Sequence, residues 1–441
     1  MSRRIISGKP MNEPDANVFI VDGCRTPILK ARGTPGPCSG ADLAVAAGGA
    51  LMLRAGVAAD ALDEVVLGCV MAAADEANIA RVAALRIGVT QTTPAFTVQR
   101  NCASGMQALD TAAARIRDGA AQLALAGGVE AMSRAPLLLN DGAVRWLAGL
   151  RGARTVGARI KHIAQLRPAH LKPVAALRRG LTDPVAGLSM GQTAEKIARR
   201  FGIDRDAMDR FALQSHRRLA HAIEQHHFDD EIQPLYCDGD GGVVEHDDGL
   251  RRDTSAAKLA KLKPVFEPLS GSVTAGNSAQ VSDGAAWLLL ASERALREHR
   301  LEPAGRIVAV EWAALDPSEM GLGPVHAAGR LLQRLGLHAR DIDYWELNEA
   351  FAGQVLACLA AFESSDYCRD EAGLEQAVGR IEQERLNMDG GAIACGHPVG
   401  MSGARITLHA LNVLRRTGGK RAVATLCIGG GQGGAALIET V

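Results

Sequence analysis

Two glycine-rich loops near the end of the chain carry a histidine and a cysteine. The first runs Gly390-Gly391-Ala392-Ile393-Ala394-Cys395-Gly396-His397-Pro398-Val399-Gly400-Met401-Ser402-Gly403, the second Cys427-Ile428-Gly429-Gly430-Gly431-Gln432-Gly433-Gly434. A helix-like stretch and a strand-like run separate them. Glycine lets backbone approach a ligand closely and adopt positive φ. A histidine and a thiol on such loops suit nucleophilic or acid–base chemistry at a site lined by backbone N–H groups.

A second thiol stands far upstream, in Asn101-Cys102-Ala103-Ser104-Gly105. The pattern places Cys102 where a strand runs into a helix, and a helix N-terminus is expected to favour its thiolate. Most single cysteines are packing residues; the small neighbours of Cys102 instead leave room for a substrate. Pro398 and its flanking glycines present His397 rigidly, as a general base requires. Cys395 reads as packing. Cys427 is either a buried structural thiol or the acid and base for a carbon acid, and its loop offers N–H groups for an oxyanion. Asn348, after the strand-like Tyr344-Trp345-Glu346-Leu347, either fixes a water or oxyanion or caps a helix.

The elements that must position these groups belong to an ordinary globular composition. The chain has 441 residues, 47% hydrophobic and 22% charged, with formal net charge zero and 3% aromatics. Neutrality and scarce aromatics argue against nucleic-acid binding. Nine cysteines (Cys24, Cys38, Cys69, Cys102, Cys237, Cys358, Cys368, Cys395 and Cys427) are scattered without a Cys-x-x-Cys pair, so no metal site is expected. Isolated thiols in a long chain suit a reducing cytoplasmic setting. Met1-Ser2-Arg3-Arg4 leads into no apolar run before Asn12-Glu13-Pro14-Asp15, so no secretory signal is expected, nor is a membrane span.

Strands over 17–23, 64–68, 96–100 and 122–126 alternate with helices over 42–59, 79–87 and 106–117, which is an α/β order. One unit recurs. Ser104-Gly105, helix, Gly119, apolar strand, Gly127-Gly128 parallels Ser402-Gly403, helix, Gly418-Gly419, apolar strand, Gly429-Gly430, with offsets of 298 residues at the serines and 302 at the last glycines. We read an internal duplication. The division is 1–129 for the first part of an N-terminal half, 130–270 for an inserted loop domain, 271–300 for the end of that half, and 301–441 for a C-terminal half. The insert includes an Asp- and Gly-rich surface stretch from Cys237 to Gly249. A charged second insertion, 363–385, precedes the His397 loop. From 142 to 182 there are nine Lys and Arg and no acidic residue. That basic run is a solvated face, a phosphate site, or a docking surface for an anionic membrane or acidic partner.

Cys102-Ala103-Ser104-Gly105, Asn348-Glu349-Ala350-Phe351, Gly396-His397-Pro398 and Cys427-Ile428-Gly429-Gly430-Gly431, in this order, resemble the thiolase family. Gly127-Gly128-Val129-Glu130-Ala131-Met132-Ser133, Met190-Gly191-Gln192-Thr193-Ala194-Glu195 and Thr274-Ala275-Gly276-Asn277-Ser278 extend the resemblance from about Val18 to Glu439. It implies a duplicated five-layered α/β/α/β/α fold with an inserted loop domain. It implies thiolytic cleavage of a 3-oxoacyl-CoA, with coenzyme A as substrate and no bound cofactor.

By the same resemblance Cys102 is the acylated nucleophile, His397 activates it, and Cys427 protonates the departing acetyl-CoA carbanion. Asn348, through a water, and His397 form one oxyanion hole; the N–H groups of Cys102 and Gly429 form the other. CoA contacts fall at Met190, Arg251, Ala275 and Ser278. The implied assembly is a homodimer or homotetramer. Ala279 departs from a hydroxyl residue common in relatives. The basic stretch is similar to that of fatty-acid-oxidation thiolases that pair with a hydratase–dehydrogenase subunit, although Asn348 is often histidine there. The alternatives are an acetyl-CoA C-acetyltransferase forming acetoacetyl-CoA and, in another class, a non-catalytic acyl-CoA binder. A decarboxylating ketoacyl synthase fits less well, wanting a histidine at Asn348 and no thiol at Cys427.

Overall fold

The computed structural model describes residues 17–236 and 242–441. Cys237, the start of the Asp- and Gly-rich stretch, and the N-terminal residues read for a secretory signal lie outside the described residues.

The strands of the first half are β1 (Val18–Arg25), β2 (Glu64–Gly68), β3 (Ala95–Val98), β4 (Leu123–Ala131) and β5 (Ser282–Ala291). They lie side by side as β3-β2-β4-β5-β1. The second half contributes β6 (Gly305–Ala314), β7 (Tyr344–Leu347), β8 (Arg421–Ile428) and β9 (Gln432–Glu439), ordered β7-β8-β9-β6. Pairing is parallel in the chemistry-bearing part (β2 with β3 and β4; β7 with β8) and antiparallel beyond it. Even β3 has a vestigial twin, since Leu386 forms a parallel bridge to Trp345 of β7. The two halves thus repeat one order, and β1 pairs with β6 to join them.

The helices are α1 (Gly40–Ala55), α2 (Ile79–Ile87), α3 (Ser104–Arg117), α4 (Asp141–Gly152), α5 (Val156–Ile163), α6 (Met190–Arg200), α7 (Arg205–Glu224), α8 (Gly323–Leu335), α9 (Ala352–Glu363) and α10 (Val399–Thr417). α1 and α2 cover one outer face, α8 with α9 the other, and α3 and α10 fill the middle. This is a five-layered α/β/α/β/α duplicated fold. Only α3 and α10 have sheets on both sides, and α10 is buried at fifteen of its nineteen positions.

The central crossing explains the repeated Ser-Gly pair. A Cβ on Gly105 would stand 2.8 Å from the Ala404 nitrogen, and one on Gly403 would stand 2.4 Å from the Met106 nitrogen. Each helix needs its glycine because the other helix's backbone occupies that space. The other landmark corrects the sequence reading. Gly127 and Gly128 do not end their strand but lie inside β4, opposite Trp287 and Ala286. A Cβ there would meet the Ala286 and Gly400 carbonyl oxygens at 2.1 Å in both cases. In the second half Gly429, Gly430 and Gly431 form the turn between β8 and β9. Between the equivalent β4 and β5 lie residues 132–281, in the place of that glycine turn.

A buried ion network fastens the insert to the core. Arg25 of β1 donates to Glu231 and to Asp247, both at 2.7 Å, and Glu231 also accepts from His409 of α10 at 3.0 Å. Breaking a buried pair by removing one partner costs about 3–5 kcal/mol. The region 363–385 is charged but not superficial: Tyr367, Leu374, Val378 and Ile381 are buried there. The basic stretch behaves differently. α4 and α5, with the residues beside them, expose Leu137, Leu139, Val156, Ile160, Ile163 and Leu171 by half or more.

Candidate active site

Cys102 sits in a turn that its neighbours hold open. Asn101, just after β3, takes the left-handed conformation at φ 43°, which asparagine tolerates better than most residues. The Ser104 hydroxyl donates to the Asn101 carbonyl at 2.7 Å and accepts the Arg100 N–H at 2.9 Å. The Asn101 amide reaches across the duplication and donates to the Gly429 carbonyl at 2.8 Å. That bond brings the Gly429 N–H against the Cys102 sulfur, alongside the N–H of Cys102 itself. Burial nevertheless lifts the Cys102 thiol above its ordinary range, and the two N–H groups offset only part of it. Desolvation thus works against the backbone N–H groups that favour the thiolate.

His397 is fixed at both ends. Gly396 adopts φ 116°, where a Cβ would strike the Ser282 hydroxyl. The His397 N–H donates to that hydroxyl at 2.8 Å. Nδ1 lies 2.6 Å from the Ser402 hydroxyl, which donates its own proton to the Pro398 carbonyl at 2.9 Å. Ser402 must then accept from Nδ1–H, so Nε2 carries the free lone pair. Nε2 is buried without a partner. Burial, then the Arg405 charge, pull the His397 pKa down to about 4. His397 is a neutral base with its lone pair unspent.

Cys427 ends β8 and packs with Met320 and Ala350. Burial first, and then the Cys102 sulfur, hold its thiol well above the ordinary value. Asn348 is not a helix cap, because α9 begins at Ala352 with Phe351 in the cap position. Its side-chain oxygen accepts from Arg405 at 3.4 Å, and Arg405 is paired with Glu346. The Asn348 Nδ2 is left buried and unpartnered, which is costly unless a ligand or water completes it.

Cys102, His397 and Cys427 line one cavity of about 780 Å³, with Met190 and Ser278 on its wall. Gly429 borders it, its α-carbon facing the Met190 sulfur. Asn348 is buried and is not among the residues that line the cavity. Arg251 and Ala275 do not line the cavity; both are exposed, and Arg251 borders a separate groove with His246 and Asp253. Ala279, the departure from the family pattern, does line it.

Sequence reasoning missed several residues. Ser402 was noticed as a landmark but not as the acceptor that sets the histidine tautomer. Glu130 accepts N–H bonds from Val70, Met71 and Gly400 at 3.0–3.1 Å, tying the β2 loop to the first turn of α10. Burial raises its carboxyl to about 7. Phe266 and Phe351 meet edge to face at 6.0 Å on the cavity wall. Gly191 admits that Phe266 ring, which would lie 2.2 Å from a Cβ. Glu130 and Phe351 each stand in a motif that carries the resemblance, whereas Phe266 gives no signal, because segments far apart bring the two rings together.

A nucleophilic thiol, a neutral base and a second thiol on one cavity define an acyl-transferring enzyme that works through a cysteine thioester. Residues 18–294 match the family model for the thiolase N-terminal domain, and residues 301–440 match that for the thiolase C-terminal domain. The chain belongs to the thiolase family and is a thiolase-type acyl-CoA acyltransferase. It is 42% identical over 434 residues to a beta-ketoadipyl-CoA thiolase of Pseudomonas aeruginosa, covering 96% of this chain and 99% of that one. It is 36% identical to a 3-ketoacyl-CoA thiolase of Yersinia enterocolitica, covering 96% of each. The Bacillus anthracis acetyl-CoA acetyltransferase structure superposes with TM-score 0.83 at 36% identity, over 98% of this chain and 100% of that one. Human mitochondrial 3-ketoacyl-CoA thiolase in complex with CoA gives TM-score 0.82 at 35% identity, over 98% and 100%. Among the described residues no helix is long and apolar enough to cross a membrane.

Proposed function

We propose that the chain cleaves 3-oxoacyl-CoA substrates with CoA, giving acetyl-CoA and a shortened acyl-CoA. Cys102 loses its proton to His397 Nε2 as its sulfur attacks the 3-oxo carbon. The bond between C2 and C3 breaks, leaving an acyl-Cys102 thioester and the acetyl-CoA enolate. His397 and a water held by Asn348 Nδ2 stabilise the enolate oxygen, and Cys427 gives its proton to the carbon. Incoming CoA returns a proton to Cys427 and attacks the thioester, whose oxyanion meets the N–H groups of Cys102 and Gly429. Cys102 leaves as a thiolate and recovers the proton on His397. The raised thiol values fit this order, because neither sulfur is ionised before the substrate is in place.

The observation that carries the reading is the pair of buried, unpartnered groups, His397 Nε2 and Asn348 Nδ2, beside a cavity lined by two thiols. A non-catalytic acyl-CoA binder would bear about 1–3 kcal/mol for each such group to no purpose. The acetyltransferase alternative is the same chemistry in reverse, with Cys427 removing a proton from acetyl-CoA. The apolar wall of Met132, Leu177, Leu181 and Val265 favours longer acyl chains over acetoacetyl. CoA meets the protein at Met190 and Ser278. Contact at Arg251 and Ala275 is then confined to parts of CoA that project from the cavity. The test is mass spectrometry of the enzyme mixed with a 3-oxoacyl-CoA in the absence of free CoA. We expect acyl on Cys102, removed by added CoA; a Cys102→Ala variant that still turns over would refute the mechanism.

Two partner assignments belong to the same proposal. The half-exposed edge strand β3, with no neighbour on its outer side among the described residues, supports pairing with a second copy of the chain. The 142–182 stretch is assigned to an anionic lipid surface, because its cations are interleaved with exposed Val156, Ile160 and Ile163.

A further inference from the structure

The cavity around Cys102 carries one permanently charged side chain on its wall, that of Arg178. Its other lining side chains are apolar, hydroxyl, amide or thiol groups and the imidazole of His397. Arg178 comes from the short helical turn Ala176–Gly180. That turn is fastened to the site. The Arg178 carbonyl accepts the Thr182 hydroxyl at 3.2 Å, and the Leu181 carbonyl accepts the Met190 N–H at 3.0 Å. Met190 in turn packs against Gly429, whose N–H meets the Cys102 sulfur. The guanidinium itself makes no ion pair or hydrogen bond among the described residues, and no acidic residue lies between 142 and 182 to neutralise it. It is exposed on the cavity wall, and a substrate that fills the cavity strips water from it. A desolvated cation needs a counter-ion, and the wall supplies none.

We propose that Arg178 is a specificity-determining residue that pairs with a carboxylate at the far end of the acyl chain, so that the preferred substrates are 3-oxo-dicarboxylyl-CoA thioesters. This rests on the thiolytic reading above. A guanidinium fork matches a carboxylate or a phosphate equally well in shape, so a phosphate of CoA is the competing source of the anion. The surroundings favour the acyl end. Ala175, Leu177 and Leu181 flank Arg178 with aliphatic surface; Thr182 of the same segment spends its hydroxyl on the Arg178 carbonyl, and Ser189, Gln192, Ser278 and Gln280 supply the remaining polar lining from other segments. A single cation among aliphatic lining residues suits a chain of methylenes ending in one negative charge.

The experiment compares thiolysis of 3-oxohexanedioyl-CoA with that of 3-oxohexanoyl-CoA, which has the same carbon chain and no terminal carboxylate. Wild type, Arg178→Gln and Arg178→Lys are measured. We expect wild type to favour the dicarboxylyl substrate by about 10-fold or more in kcat/KM, the worth of one charge-assisted pair. Arg178→Gln should erase that preference, lowering kcat/KM for 3-oxohexanedioyl-CoA by about 10-fold or more and for 3-oxohexanoyl-CoA by much less, and Arg178→Lys should restore part of it. A wild type without preference overturns the inference. So does an Arg178→Gln variant that slows both substrates alike with a raised KM for CoA, which assigns the arginine to a phosphate. Failure of wild type to cleave either substrate, with Cys102 never acylated, would instead defeat the thiolytic reading itself.

Discussion

Ser402 receives a hydrogen bond from His397 Nδ1 at 2.6 Å while giving its own proton to the Pro398 carbonyl at 2.9 Å. The second bond makes the first one-directional, and so decides which imidazole nitrogen is the base. Ser402→Ala removes the acceptor and leaves a buried N–H unsatisfied, at about 1–3 kcal/mol. The imidazole is then free to turn or to change tautomer. We expect kcat to fall by about 10–100-fold with KM little altered, the range seen when an orienting partner of a functional histidine is lost. Ser402→Thr, which keeps the hydroxyl, should recover most of the rate. Steady-state kinetics of the two variants decide it, and an unchanged kcat in Ser402→Ala would remove the tautomer argument.

The resting site holds a neutral thiol and a neutral imidazole. Burial lifts Cys102 and lowers His397 to about 4, and both shifts disfavour a thiolate–imidazolium pair at neutral pH. The alkylation rate of Cys102 by iodoacetamide should therefore keep climbing beyond pH 9. A rate that levels off by pH 7 would mean that the ion pair exists before substrate arrives. The measurement is pH-dependent inactivation, with peptide mapping to confirm that Cys102 is the residue modified.

Much of this was legible in the chain because local rules sufficed. The strand Glu64–Gly68 is a short apolar run, and the helix Ile79–Ile87 has Asn78 at its cap and Gly88 after its last turn. Cys102, His397 and Cys427 were legible because each stands beside glycines or small residues at an element boundary. What failed depended on packing between distant segments. Gly127 and Gly128 look like a turn and are a strand, since their reason is the Gly400 and Ala286 carbonyls. Charges near a thiol are visible in sequence, but the burial that outweighs them is not. Nothing local in the sequence marks Arg405, which is buried against Glu346 and donates to the Asn348 side-chain oxygen.

The helix crossing separates two kinds of glycine. In α3, Gly105→Ala would drive a Cβ to 2.8 Å from the Ala404 nitrogen, a backbone atom that cannot step aside. We expect a loss of about 1–3 kcal/mol from overpacking, together with lower activity, since α3 and α10 carry Cys102 and His397 at their starts. In α1, Gly49 has nothing within 4 Å of its Cβ position, so Gly49→Ala should gain about 0.5–1 kcal/mol from helix propensity. Urea unfolding of the two variants should shift in opposite directions. Equal and small shifts would contradict the close crossing.

Stability should fall on both sides of a maximum near neutrality. His216, His326 and His397 are each lowered from 6.5 to about 4 by burial. Between those values the unfolded chain binds more protons, so stability is lost as pH falls from 6.5 toward 4. Glu130, raised to about 7 by burial, works the other way, as do Glu349 and Asp283, whose carboxyls burial also raises; below pH 4.5 Glu231, lowered to about 2 by His409 and Arg25 against its own burial, adds to the acid-side loss. His409 is opposed by its own burial yet raised to about 10 by Glu231 and Asp389. There the folded chain binds more protons, so its contribution is lost as pH rises from 6.5 through 10. Urea midpoints measured across pH should show both limbs, and His409→Gln should flatten the alkaline one. An alkaline slope unchanged in that variant would place its origin elsewhere.

The basic stretch gives the last prediction, which concerns a surface. Nine Lys and Arg without an acidic residue, interleaved with exposed Val156, Ile160 and Ile163, should bind vesicles containing anionic phospholipid and not vesicles of zwitterionic lipid alone. Each cation near such a surface contributes about 1 kcal/mol, so affinity should drop steeply with salt. Reversing Arg151, Arg154 and Arg159 to glutamate should abolish co-sedimentation while leaving thiolysis in solution unchanged, because none of the three lines the cavity. Isoleucine-to-serine changes at Ile160 and Ile163 should weaken binding without changing its salt slope, which separates the apolar contribution from the electrostatic one. Binding that persists after charge reversal, or that ignores salt, would rule out a lipid-facing role for these cations. Selective binding to an acidic protein in place of the vesicles would reassign the same face to a partner subunit.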